Sequence, residues 1–194
     1  KSETERRLDF RKNVCFTIDP EDAKDFDDAV SLEVLADGNY RLGVHIADVS
    51  YYVREGEPLD QEALKRGTST YFPGIVIPML PERLSNDLCS LRPEEDRLTY
   101  SVFMTVTPQG RVTGHEIRES IIRSARRFTY EEVEALITGT PARESDTSLV
   151  ETLRTMHALS NILTKKRMRE GSIDFESAEA KFRFDDKGMP TEII

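Results

Sequence analysis

The sequence has little that would place it in a membrane or outside the cell. No apolar run approaches the ~18 residues that would mark a transmembrane helix, and no basic, apolar, small-residue leader opens the chain. Only two cysteines occur among its 194 residues. Cys15 and Cys89 are far apart, form no metal-ligand spacing and give no reason to expect an oxidising compartment, so a cytoplasmic setting is the expectation. Internal repeats and low-complexity segments are absent. Disorder is excluded as well, because aromatic and β-branched residues recur along the chain. The length fits one domain, and the chain is expected to bury a core without disulfides or metals. It starts at Lys1 and stops within Thr191-Glu192-Ile193-Ile194, which reads as a strand cut short, so a longer parent is expected.

The net charge is −9. Taken alone, that argues against nucleic-acid binding, which needs clustered Lys and Arg. The distribution is uneven, however. Residues 19–28 hold six acids and one lysine, whereas Arg123-Ser124-Ala125-Arg126-Arg127 and Lys165-Lys166-Arg167-Met168-Arg169 are basic.

Strands are expected at Val14–Ile18, at 29–36 and 40–47 around Asp37-Gly38-Asn39, and at 98–107 and 111–122 around Pro108-Gln109-Gly110. Pro58–Arg66 has a proline start, strong helix formers and Gly67 as a stop. Thr68–Leu80 carries no charge and its prolines forbid a helix; Ser85–Leu88 fits a short helical turn. Helices are expected at about 129–138 and 148–170, and strand character resumes over Phe175–Phe184. Hairpins outnumber βαβ units. The expected class is therefore α+β, with a largely antiparallel, curved, barrel-like (OB-like) sheet flanked by helices.

The chemistry concentrates in the run from Asp19 to Asp28. Asp19 closes one expected strand, and Asp25, Asp27 and Asp28 open the next, so four carboxylates converge if those strands are neighbours. Carboxylates about 4 Å apart repel by roughly 1 to 4 kcal/mol per pair, a cost that protonation or a cation relieves. Oxygen-only ligands favour Mg²⁺ or Mn²⁺ over zinc, and such a cage with no adjacent Ser or Cys nucleophile suits metal-assisted phosphodiester hydrolysis. A solvated acidic loop is the bland alternative, opposed by Phe26 among the acids, by Ile18 before them and by the strands on either side. A calcium hand is disfavoured, because Val30 stands where that loop needs glycine. Asp25-Phe26-Asp27 also fits the short D-x-D pattern of metal-dependent glycosyltransferases. His45 reads as a core histidine, Asp48 as a helix cap or an aid to the metal site, and Cys89 as packing.

The segment Thr17-Ile18-Asp19-Pro20-Glu21-Asp22-Ala23-Lys24-Asp25-Phe26-Asp27-Asp28-Ala29 resembles the active-site signature of the ribonuclease II / ribonuclease R family. The likeness continues through Gly43–Ser50, Arg66–Pro73, Ile77–Pro81, Leu84–Leu91 and Gly171–Ser177, in the family's order. The wording Asp25-Phe26-Asp27-Asp28 and Ser172–Ser177 is nearer to ribonuclease R. The resemblance implies processive, Mg²⁺-dependent hydrolysis of single-stranded RNA from the 3′ end to nucleoside 5′-monophosphates, by a monomer. It implies that Asp19, Asp25, Asp27 and Asp28 are the catalytic aspartates and metal ligands. Among them Asp27 is the one indispensable to chemistry, and Asp19 and Asp28 serve principally the metal. It further implies that Tyr71 closes over the last base, that Phe175 stacks on the other side of the 3′ bases and that Tyr130 lies near the terminal nucleotide. Residues 1–194 then form the N-terminal portion of a catalytic domain. Flanking OB-fold domains and a later arginine-bearing segment lie outside this sequence. The rival readings are the D-x-D glycosyltransferase and a non-catalytic RNA-binding relative.

Overall fold

The computed structural model describes residues 3–72, 75–139, 147–173, 182–185 and 189–193. In chain order the elements are α1 (Glu3–Arg6), β1 (Leu8–Asp9), β2 (Phe16–Asp19), β3 (Asp28–Val34), β4 (Tyr40–Ala47), α2 (Val49–Tyr52) and α3 (Pro58–Arg66). The ribbon β5 (Thr70–Phe72) and β6 (Ile75–Ile77) and a π-type turn at Leu84–Leu88 follow. The long strands β7 (Asp96–Val106) and β8 (Val112–Arg123) come next, then β9 (Arg126–Thr129), α4 (Tyr130–Thr138) and α5 (Thr147–Arg169). A last pair, β10 (Phe182–Phe184) and β11 (Pro190–Ile193), ends the chain. No helix among the described residues is long and apolar enough to cross a membrane.

Seven strands form one sheet in the order β1-β8-β7-β4-β3-β2-β9. The pairings are antiparallel except at the ends, where β1 runs parallel to β8 and β9 parallel to β2. This confirms an α+β fold with a mostly antiparallel sheet. The barrel-like part of the expectation is not confirmed: among the described residues the sheet is open, with β1 and β9 at its edges.

Alternation along the strands gives the sheet two buried faces. On one, Phe16, Phe128, Leu136, Leu149, Val150 and Leu153 pack β2 and β9 under α4 and α5, with the Phe16 and Phe128 rings edge to face at 5.4 Å. On the other, Cys15, Ala29, Ala47, Cys89, Leu91 and Ile122 form a second core that Phe10 and Phe26 join. Burial pushes the Cys15 thiol up to about 12 and the Cys89 thiol up to about 11, so both stay protonated packing groups. The helix α3 has the expected bounds because its ends are chemically marked: Pro58 occupies the first turn and Gly67, at φ 78°, closes the last.

A buried polar chain crosses the second face. His45 Nε2 bonds Ser31 Oγ at 3.0 Å and its Nδ1 bonds Ser101 Oγ at 2.6 Å. Ser101 continues to Ser120 at 2.5 Å, and Ser120 to Thr99 at 2.6 Å. Gly43 is required beside it, since a Cβ there would lie 2.3 Å from Ser31 Oγ and 3.0 Å from His45 Nε2. His45 is thus the core histidine expected from the sequence.

Burial pushes the His45 imidazole down to about 4 from an ordinary 6.5. Between those values the unfolded chain binds a proton that the folded chain refuses. Stability therefore falls as pH drops from about 6.5 to about 4 and levels off below, by up to about 3 kcal/mol. Urea unfolding at pH 7 and pH 4.5 should show a larger loss in the wild type than in His45→Gln. Equal losses would contradict the assignment.

Candidate active site

Asp19 is the last residue of β2 and Asp28 the first of β3, and these strands are neighbours. Their antiparallel register, Phe16 opposite Val30, brings the end of one beside the start of the other. Pro20 ends the ladder, having no N–H to give. Asp25 and Asp27 precede β3 and do not open it, so they sit in the connecting segment 20–27.

That segment is not a loose acidic loop. Phe26 is tied at three points. Its N–H donates to Ser90 Oγ at 3.0 Å, its carbonyl accepts from Leu91 N–H at 2.8 Å, and its ring packs on the second core. Ser90, fully buried, also donates to the Lys24 carbonyl at 3.3 Å. The Asp27 carbonyl accepts from Ala47 N–H at 2.9 Å, just past the end of the β4 ladder. On the opposite side, Arg127 donates to the carbonyls of Pro20 and Glu21, and its guanidinium lies 5.5 Å from the Phe26 ring centre. Because Phe26 is pinned, Asp25 and Asp27 flank a fixed point.

Burial and neighbouring charge act together on the acids. Burial raises the pKa of Asp19, and the charges of Asp28 and Asp25 add to it, while Thr17 and Arg127 pull the other way. Burial likewise raises Asp27, with Asp25, Asp28 and Asp19 adding in that order. Asp27 is exposed by area, so water screens part of its burial, and repulsion from three neighbours is the sounder cause. Asp19 is only 7% exposed, and its Oδ2 is buried without a hydrogen-bond partner. That orphaned oxygen, with an oxygen-only donor set around it, fits a hard divalent cation. Among the described residues no three acidic, histidine or cysteine side chains close into a ready-made cage.

The aromatic candidates are distributed unequally. Parallel pairing sets Thr129 of β9 beside Asp19. Thr129 then caps α4 through a reciprocal pair with Glu132, at 3.1 and 3.0 Å, so Tyr130 is fixed one residue from the acids and is 57% exposed. Tyr71 stands in the separate β5–β6 ribbon and is 69% exposed in this chain. Phe175 lies outside the described residues. Asp48 is committed elsewhere. Its Oδ1 caps α2 by accepting from Tyr51 N–H at 3.1 Å and Ser50 at 2.7 Å, and its Oδ2 pairs with buried Arg7 at 2.5 Å.

Two supporting residues escaped sequence reasoning. Ser90 was hidden in an apolar stretch, and Arg127 in a basic one.

Residues 7–194 match the RNB domain family. The chain belongs to that family. It is 53% identical over its whole length to Ribonuclease R of Aquifex aeolicus, covering 28% of that protein. It is 52% identical over 92% of its length to Ribonuclease R of Escherichia coli, covering 22% of it. The chain thus spans less than a third of these relatives. In structure it is similar to Mycoplasma genitalium RNase R in complex with double-stranded RNA, with a TM-score of 0.94 and 32% identity, covering all of this chain and 34% of that one. Yeast Ssd1, described as a pseudonuclease, shares the fold, with a TM-score of 0.73 at 24% identity over 87% of this chain and 20% of that one. Membership of the RNB family also accounts for Asp25-Phe26-Asp27, which removes the ground for a nucleotide-sugar site.

Proposed function

We propose that this chain is the N-terminal portion of the catalytic domain of an Mg²⁺-dependent exoribonuclease. It hydrolyses single-stranded RNA from the 3′ end, processively, to nucleoside 5′-monophosphates, as a cytoplasmic monomer whose full length carries flanking OB-fold domains. The observation that carries this reading is the placement of Asp19, Asp25, Asp27 and Asp28 around a pinned Phe26, in a chain of the RNB family. Its likeness to ribonuclease R proteins, two of whose structures hold RNA, supports the substrate class.

Asp19 and Asp28, from two adjacent strands, would hold Mg²⁺ or Mn²⁺, with Asp25 and Asp27 completing the acidic set. When bound, such an ion supplies Lewis-acid charge at the phosphate. Asp27, exposed beside the anchored Phe26, would be the carboxylate left for the chemical step, orienting the attacking water. Tyr130, Tyr71 and Phe175 supply aromatic faces for the terminal bases. Stacking contributes roughly 1–3 kcal/mol per base and tolerates any sequence.

In the full-length protein, Asp27→Asn keeps the side chain's size and removes its charge. Cleavage of 3′-labelled RNA in Mg²⁺ should be lost while binding of the same RNA is retained. Cleavage within tenfold of wild type would refute the assignment, and a wild type that binds RNA without cutting it would mark a non-catalytic relative.

Because Tyr71 is exposed, Tyr71→Ala should leave the melting temperature nearly unchanged. If its ring stacks on a terminal base, the variant should release short RNAs early, so that end products lengthen by a nucleotide or more while initial cleavage of long RNA is little affected. An unchanged product ladder would refute the stacking role.

A further inference from the structure

Thr17 and Asp19 alternate on one face of β2, the face that bears the second core. Arg127 lies opposite Thr17 in the parallel register, and Thr129 opposite Asp19. Two polar atoms in this small area, Asp19 Oδ2 and Arg127 Nε, are buried without a hydrogen-bond partner. Buried polar atoms are rarely left so, and a pair of opposite charge type on adjoining strands marks a place where the fold holds a charged arrangement. From that floor the Arg127 side chain rises to the acidic segment. One terminal nitrogen donates to two successive carbonyls, those of Pro20 and Glu21, and the guanidinium plane reaches Phe26. The segment between Asp19 and Asp28 is thus held from both sides, by Ser90 and Leu91 on one and by Arg127 on the other.

We propose that Arg127 is a positioning residue of the acidic site: it clamps the start of segment 20–27 and the Phe26 ring, and so fixes Asp25 and Asp27 relative to Asp19. The positive charge also offsets part of the repulsion among the aspartates without occupying the place where a cation or phosphate would sit. Its bonds to carbonyl oxygens leave the carboxylates free. A lysine keeps the charge and can reach two carbonyls from its single nitrogen, but it lacks the planar guanidinium that covers the Phe26 ring. This positioning role rests on the reading of the four aspartates as the catalytic set.

The test compares wild type, Arg127→Gln, Arg127→Lys and Asp27→Asn in the full-length protein. Amide hydrogen exchange in metal-free protein, across segment 21–27 and the rest of the sheet, is read alongside kcat and KM for RNA. Arg127→Gln should exchange at least tenfold faster over 21–27 while the long β7 and β8 strands keep their protection. Its kcat should fall at least tenfold with KM within about twofold. Arg127→Lys should be intermediate in both readouts, and it carries the test if the glutamine variant does not fold. Asp27→Asn should lose turnover with segment 21–27 protected as in wild type. Unchanged exchange in the Arg127 variants would overturn the clamp. A raised KM with kcat intact would do the same and make Arg127 a direct phosphate contact. Full turnover by Asp27→Asn would instead overturn the catalytic reading while leaving the exchange result to stand.

Discussion

Four aspartates in the stretch where β2 ends and β3 begins are the constraint to which the rest of the structure answers. Each close pair costs roughly 1 to 4 kcal/mol, and water-filled loops ordinarily relieve this by moving apart. Here they cannot, because Asp19 and Asp28 are the ends of hydrogen-bonded neighbouring strands and Phe26 is fastened between Asp25 and Asp27. The apolar ring among the acids is the device. Packing it on the second core gives the segment a hydrophobic reason to stay where electrostatics would disperse it.

The sheet's parallel margins serve the same end. If the chain had paired only in hairpins, the residues after β8 would have run to the far side of the sheet from β2. The short β9 instead returns beside β2, brings Thr129 level with Asp19 and starts α4 there. Phe128 anchors this return in the first core against Phe16. The same four residues therefore contribute a core aromatic, a helix cap, the step to exposed Tyr130, and Arg127 on the opposite face.

Much of the fold was legible in local chemistry. The helix Pro58–Arg66 appears with both bounds as expected, since proline and a positive-φ glycine mark its ends without help from tertiary contacts. The hairpins at Asp37-Gly38-Asn39 and Pro108-Gln109-Gly110 follow for the same reason. The strand β9 was not legible, because four residues with two arginines show no clear period and gain strand form only by pairing with β2. Nor was the open sheet, since closure depends on which edges meet and not on any one strand. In the site, carboxylates announce themselves by type and spacing. Ser90 does not, because its role is a hydrogen bond across sixty-odd residues of sequence.

The central claim, that these aspartates form a cation site built by the fold, is tested most directly by melting the full-length protein in rising Mg²⁺ or Mn²⁺. Binding to the folded state alone stabilises it in proportion to the logarithm of ligand concentration, by about 2.7 kcal/mol at a hundredfold excess over Kd. The account predicts a melting temperature that climbs through the millimolar range and a response that shrinks when Asp19 and Asp28 are both replaced by Asn. A wild-type melting temperature indifferent to either ion, or a double variant that responds as the wild type does, would contradict it.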